Sequence, residues 1–404
     1  MGITVAAGPA AHEAAAQTSA PSWVTYQYRP FAEDGVGLPL PRGEMALDDD
    51  GTTVGWSSAM EDLFTVAEEE EDERAYLFGV ADRGSSRSPR KLQVLDVPGI
   101  IQNTSPIDAD LSGDGQTFVS VFRSDTGDAG LGCATSPSGA DAGYHEAQVV
   151  AWERATATGE FGGPQLISRA DGSAGCEGTN PDGGPDLIGV GGDRRSISTA
   201  VSTDGEVIAF ASMAENLVAS PPTGTDAHAV YVAEGSGGSR SVSLVTPTNM
   251  DGAVFDIAMS GDGNSIAFVS SASNLVPGVT IPPDSTQVYL ASRTTPSGPW
   301  AFSIVSQAAD GAVSDSWISS VAIDDEGERV AYTAYSRELD DSVETVGADV
   351  MAVVSEVSTG STQVVPHVEP TSGGSLQAPD LGFLAHVDIS PDGERVAVVG
   401  IGRD

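Results

Sequence analysis

Short apolar runs alternate with polar, glycine-rich stretches along the whole chain, and one arrangement of them recurs. An acidic residue followed by glycine stands at Asp50-Gly51, Asp114-Gly115, Asp204-Gly205, Asp262-Gly263, Glu326-Gly327 and Asp392-Gly393, with successive glycines 64, 90, 58, 64 and 66 residues apart. Four positions before each glycine lies an apolar residue (Leu47, Leu111, Val201, Met259, Ile323, Ile389), and three before it a short polar one (Asp48, Ser112, Ser202, Ser260, Asp324, Ser390). Such side chains cap a tight turn by bonding nearby backbone N–H groups, and the glycine supplies the positive φ that ends it. Three positions after the glycine comes a bulky apolar residue (Val54, Phe118, Ile208, Ile266, Val330, Val396), followed by a smaller one (Gly55, Val119, Ala209, Ala267, Ala331, Ala397). Strand side chains alternate faces, so this pattern predicts a β-hairpin whose second strand is buried on both sides.

The six hairpins fall at about residues 45–57, 109–122, 198–212, 256–270, 321–334 and 387–400. Two further strands follow in the earlier repeats, for example Val230 to Ala233 with Val242 to Thr246 and Val288 to Ala291 with Ala301 to Ser306. Four strands in each of six repeats predict an all-β chain, a six-bladed β-propeller of four-stranded antiparallel blades. Residues 22–404 are expected to form this single domain, and residues 1–21, small and Ala-rich, a flexible tail or signal remnant. The sixth repeat stops near Gly400, after its second strand. Val24 to Arg29, followed by Asp34-Gly35, mirrors the outer-strand exits of other repeats, as at Ile304 to Ala309 before Asp310-Gly311. An N-terminal strand within residues 22–30 is therefore expected to join the last blade and close the ring.

The repeated Ser-x-Asp-Gly-x-x-(Val/Ile)-Ala-(Phe/Tyr) motif resembles the WD40-like (PD40) repeats of the TolB-type propeller, which also form the propeller halves of prolyl-oligopeptidase-like peptidases. The stretches Ser212-Met213-Ala214-Glu215-Asn216-Leu217-Val218 and Ser271-Ala272-Ser273-Asn274-Leu275-Val276 narrow the resemblance to secreted bacterial propellers. It covers roughly residues 22–401 and implies the fold far more strongly than a function. TolB carries an N-terminal α/β domain, for which the stretch before Trp23 is too short, and the peptidases carry a hydrolase domain with a Gly-x-Ser-x-Gly elbow, which does not occur here. Neither specific activity is expected.

Charge then sets the environment. Eighteen basic residues against 58 acidic ones leave a net charge of −40, which excludes nucleic acid as a partner because nothing could neutralise a phosphate backbone. Lys91 is the one lysine. No apolar run reaches the roughly 20 residues that a membrane-crossing helix needs, so no transmembrane segment is expected. Extracellular or envelope (periplasm or cell-surface) localisation and a monomeric state fit this acidic surface.

Candidate chemistry is sparse. His12, His145, His228, His367 and His386 are scattered without a His-Glu-x-x-His motif, and no catalytic carboxylate pair stands out among so many acids. In a four-stranded meander, the second-to-third-strand loops and the inter-blade links share one face. Those loops hold Glu61, Asp62, Glu68 to Glu71, Asp125, Asp128, Asp226, Asp284, Asp340 and Asp341, and the links Asp34, Asp171, Asp182, Asp186, Asp251, Asp310 and Asp315. This acidic rim suits cationic partners or Ca²⁺, although no EF-hand spacing appears and no cofactor is required; a solvated rim is the plainer alternative. Cys133 and Cys176 flank the oversized second repeat on that same face, which predicts a disulfide, against a free pair as the alternative. The leading expectation is a non-catalytic secreted or envelope propeller binding a protein, peptide or surface polymer through its acidic loop face. The rivals are a propeller enzyme with a central-tunnel site (polysaccharide lyase, glycosidase or metal-assisted hydrolase) and a propeller acting with a separate peptidase chain.

Overall fold

The computed structural model describes residues 4–6, 45–49, 51–58, 77–83, 89–95, 104–124, 147–157, 159–169, 196–222, 228–307, 313, 315–335, 350–364 and 386–399. Among these residues the chain is all-β, its one helical element being a short 3-10 turn at Gly237–Ser239. In chain order the strands are β1 (Thr4–Ala6), β2 (Met45–Leu47), β3 (Thr53–Ser58), β4 (Leu77–Arg83), β5 (Pro89–Leu95), β6 (Thr104–Leu111), β7 (Thr117–Ser124), β8 (Gln148–Glu153), β9 (Gln165–Leu166), β10 (Ser196–Val201), β11 (Val207–Ser212) and β12 (Ala229–Glu234). They continue as β13 (Ser241–Leu244), β14 (Val254–Met259), β15 (Ser265–Ser270), β16 (Gln287–Ser292), β17 (Ala301–Ile304), β18 (Trp317–Ile323), β19 (Arg329–Tyr335), β20 (Val350–Glu356), β21 (Ser361–Val364), β22 (His386–Ile389) and β23 (Val396–Val399).

The described strands form five four-stranded sheets, ordered β2-β3-β4-β5, β6-β7-β8-β9, β10-β11-β12-β13, β14-β15-β16-β17 and β18-β19-β20-β21, and a three-stranded sheet ordered β1-β23-β22. Sequence order equals spatial order in the first five, so each is a meander. Register is antiparallel, as where Phe210 of β11 faces Tyr231 of β12 and Phe268 of β15 faces Tyr289 of β16. The chain divides into two compact units, the first Leu40–Ile257 with Gly261–Gly263, and the second Met1–Pro39 with Ala258–Ser260 and Asn264–Asp404.

In the last sheet the third strand is β1, with Thr4 opposite Val398 and Ala6 opposite Val396. These residues were expected in a tail. A three-residue ladder is too short to leave a periodic signal in an Ala-rich stretch, which is why the hydrophobic pattern does not reveal it. The segment 22–30, expected to join this sheet, lies outside the described residues.

Burial follows the two-faced pattern of each second strand. In the first unit Phe118, Val150 and Trp152 pack with Ala46, Ala109 and Leu111, so the facing sides of the first and second sheets share one apolar layer. In the second unit Val330 and Tyr332 of β19 face Ala267, Val269, Val288 and Leu290, while Ala331 between them faces Val387, Ile389 and Val396. One strand thus serves two layers, large residues on one side and small on the other. Gly55 marks how tight this is: a Cβ there would lie 2.6 Å from the Phe118 ring.

Candidate functional site

Each meander presents two ends, and they are built differently. At the tight-turn end the capping residue does what its chemistry allows. Ser112 Oγ accepts Thr117 N–H at 2.8 Å and donates to Asp114 Oδ1 at 2.7 Å, and Ser202 repeats this with Val207 and Asp204. Where Asp replaces Ser, as at Asp48 and Asp324, Oδ1 accepts the equivalent N–H of Thr53 or Arg329. The glycines 51, 115, 205, 263, 327 and 393 all have φ between 65° and 70°.

These tips also join consecutive sheets. In the first unit Asp49 N–H donates to Gly113 O at 3.0 Å, Asp114 N–H to Thr203 O at 2.9 Å, and Thr203 N–H to Gly261 O at 2.9 Å. In the second, Asp325 N–H donates to Pro391 O at 3.0 Å. Three arginines serve the same joints. Arg154 donates to Gly115 O at 2.7 Å and to Thr53 Oγ1 at 2.9 Å, with its guanidinium 4.7 Å from the Phe161 ring centre. Arg240 donates to Gly205 O and pairs with Glu153 at 2.5 Å. Arg329 reaches Asp392 O at 3.3 Å.

Along the first strand of each sheet, the residue seven before the turn glycine is polar in every copy: Glu44, Asp108, Ser198, Asp256, Ser320 and His386. Glu44 lies outside the described residues. β-bulges next to this position, at Pro106/Asp108, Ser196/Ser198 and Ile318/Ser320, turn the strand locally. In the first unit Asp108 Oδ2 accepts Thr199 N–H at 2.6 Å while Oδ1 accepts Ala109 N–H, and Asp110 does the same with Val201 and Leu111. Ser198 Oγ donates to Asp256 Oδ1 at 3.3 Å. Carboxylates whose two oxygens each take a backbone N–H are strand-to-strand stitches, poorly suited to transfer a proton.

In the second unit Ser320 Oγ lies 3.1 Å from His386 Nδ1 and accepts Val387 N–H at 3.3 Å. Ser320 is only 3% exposed, and its hydroxyl is a tie rather than an available nucleophile. Asp388, two residues from His386, is the chemically distinctive group. Its side chain is open to solvent, yet desolvation by the surrounding protein pushes its pKa above 3.8, opposed by the Ile389 N–H bond and by the attraction of His386. Among the described residues no group of three or more His, Cys, Asp or Glu could hold a metal ion.

The Ser-x-Ala-x-Asn-Leu-Val stretches prove to be structural corners. Tyr231 OH donates to Ala214 O at 2.9 Å and Tyr289 OH to Ala272 O, while Leu217 and Leu275 are buried. Of the acids expected on the loop face, Asp251, Asp284 and Asp315 are described; the others, with Cys133, Cys176, His12, His145 and His367, lie outside the described residues. At the loop end the sequence reading missed an aromatic pair: Trp317, 54% exposed, lies directly opposite Tyr335, 43% exposed. Laying the six repeats over one another would have revealed both this pair and the polar column at minus seven.

No family model matches the chain, and no curated protein matches it. Among solved structures it is similar to β-propeller and TolB structures. A protein of Agrobacterium tumefaciens described as TolB is 14% identical over 89% of this chain and 90% of its own, with a TM-score of 0.44. TolB from Acinetobacter baumannii is 13% identical over 81% of this chain and 60% of its own, with a TM-score of 0.37. The Swd1 β-propeller domain of Myceliophteria thermophila is 9% identical over 89% and 83%, with a TM-score of 0.41.

Proposed function

We propose that the six sheets are the blades of a six-bladed β-propeller and that the protein is a non-catalytic, secreted or envelope scaffold binding a protein, peptide or surface polymer through its acidic loop face. The observation that carries the scaffold reading is the use of polar groups on the first strands. Asp108, Asp110, Asp256 and Ser320 hold neighbouring strands, which leaves them poorly placed for acid–base work. The binding face follows from where the repeats diverge, in the acidic loops and links.

Ring closure belongs to the same proposal. β1 takes the third place in the last sheet, and residues 22–30 would supply the fourth strand. Deleting residues 22–30 is expected to lower the melting temperature of the whole protein in one cooperative transition; an unchanged melting temperature refutes the closure. Cys133 and Cys176 would form a disulfide in an oxidising compartment, and two thiols freely alkylated in the native protein would overturn that pairing.

Affinity capture from the native source with the immobilised protein, with and without Ca²⁺, tests the binding role. Enrichment of a defined ligand supports it. No enrichment, together with turnover in a broad glycan and peptide panel, reverses it in favour of an enzyme. One observation favours that second reading, the solvent-open Asp388 with its raised pKa beside His386. Turnover abolished by Asp388→Asn would establish it.

A further inference from the structure

The aromatic pair at the loop end of the fifth sheet departs from its own repeat. The position held by Trp317 is occupied by Pro41, Ser105, Arg195, Ala253 and Phe383 in the other repeats, and that of Tyr335 by Ala59, Arg123, Met213, Ser271 and Ile401, so no other repeat carries two aromatics there. The register pairing is the same in the second and fifth sheets, Ser105 opposite Arg123 and Trp317 opposite Tyr335. The fold therefore places no demand for an aromatic pair there. Side chains of directly opposed residues stand on one face of a sheet, with Cβ atoms about 5 Å apart, so Trp317 and Tyr335 present their exposed side chains on the same face. The rest of the two strands is largely buried, with burial patterns that become exposed at this end.

Two large exposed rings in an acidic setting select a cation. The chain carries a net charge of −40, Asp315 is exposed two residues ahead of Trp317, and Arg154, Arg240 and Arg329 are engaged at turn joints. A guanidinium or ammonium over Trp or Tyr gains from the ring quadrupole, most strongly over Trp, and the surrounding field adds to it. We propose that Trp317 and Tyr335, with Asp315, form a recognition platform for an arginine- or lysine-bearing peptide segment of a protein partner. This inference rests on the loop-face reading above and names its ligand class and one of its contact points.

The test is calorimetric titration of the full chain, in about 0.15 M salt where long-range attraction is screened, with an end-blocked peptide of four Gly-Arg repeats, its Gly-Gln counterpart and a neutral oligosaccharide. The wild type is expected to bind the arginine peptide alone. Trp317→Ala is expected to weaken it about tenfold and Tyr335→Ala about fivefold, while Trp317→Phe retains most of the affinity. Unchanged melting temperatures would show that the variants keep their fold, both side chains being exposed. Arginine-peptide binding indifferent to Trp317→Ala overturns the platform and leaves the acidic face standing. Equal binding of the Gly-Gln peptide or the oligosaccharide overturns the cation assignment. No binding of any probe by the wild type counts against both.

Discussion

The two ends of each sheet obey different rules. At the tight-turn end a Ser or Asp cap, a glycine near φ 65–70° and backbone bonds to the next tip recur with little variation, because each tip must fit the one beside it. At the loop end, where segments need not match a neighbour, length and composition diverge, and the one exposed aromatic pair found among the described strand residues appears. A repeat keeps its sequence where it packs against other copies and is free to specialise where it meets solvent. The same contrast exists within the turns of the first unit. A Cβ on Gly205 would lie 2.2 Å from Thr117 Oγ1 and 2.8 Å from its Cβ, whereas one on Gly51 would meet nothing within 4 Å.

That contrast can be broken by substitution. The largest effect is expected for Gly205→Ala, which combines left-handed backbone strain with a clash against a stiff β-branched side chain, a loss of about 2–4 kcal/mol in urea unfolding. Gly51→Ala keeps only the backbone strain and should cost about 1 kcal/mol. Equal losses would mean that tip-to-tip fit contributes nothing. Next comes Arg154→Met, which removes the donors to Gly115 O and Thr53 Oγ1 from a buried joint and should cost about 2 kcal/mol by the same measurement.

The smallest effects are in pH dependence, and two turn aspartates, the cap Asp324 and the acid Asp392 before its glycine, should differ in sign. Burial raises the pKa of Asp324 above 3.8, so its contribution is full below 3.8 and is lost as pH rises through the raised value. Asp324→Asn, which can still accept the Glu328 and Arg329 N–H bonds, should melt at or above the wild type at pH 7 and lose that advantage in acid. The Ser390 hydroxyl and the Glu394 N–H lower the pKa of exposed Asp392, so its contribution is present above 3.8 and lost as pH falls through the lowered value. Asp392→Asn should melt below the wild type at pH 7 and converge with it at low pH. Parallel melting curves for the two variants across pH would show that burial does not distinguish the two aspartates.

The hairpins were legible because each is written locally: cap, glycine and the large-small alternation lie within about ten residues. β1 was not, since three residues pairing with Val396 to Val398 across nearly the whole chain leave no local trace. The acids were visible as composition but not as chemistry. Nothing in the sequence around Asp108 or Asp110 reveals that both oxygens take N–H groups, one of them from Thr199 or Val201, 91 residues away in each case. Trp317 and Tyr335 were visible only relative to the other repeats, since an isolated aromatic at a strand end is ordinary by itself.

Asp-Gly peptide bonds are the places where polypeptides age, because the glycine nitrogen can attack the neighbouring carboxyl and leave an isoaspartyl kink. In these turns that nitrogen donates its hydrogen to the carbonyl of the capping residue, as Gly115 does to Ser112 and Gly205 to Ser202. The carboxylates of Asp114 and Asp204 are meanwhile held by a serine hydroxyl and by the N–H two residues on. The fold thus keeps nucleophile and electrophile occupied at its most repeated motif, and gives the folded chain a slower chemical clock than its unfolded form.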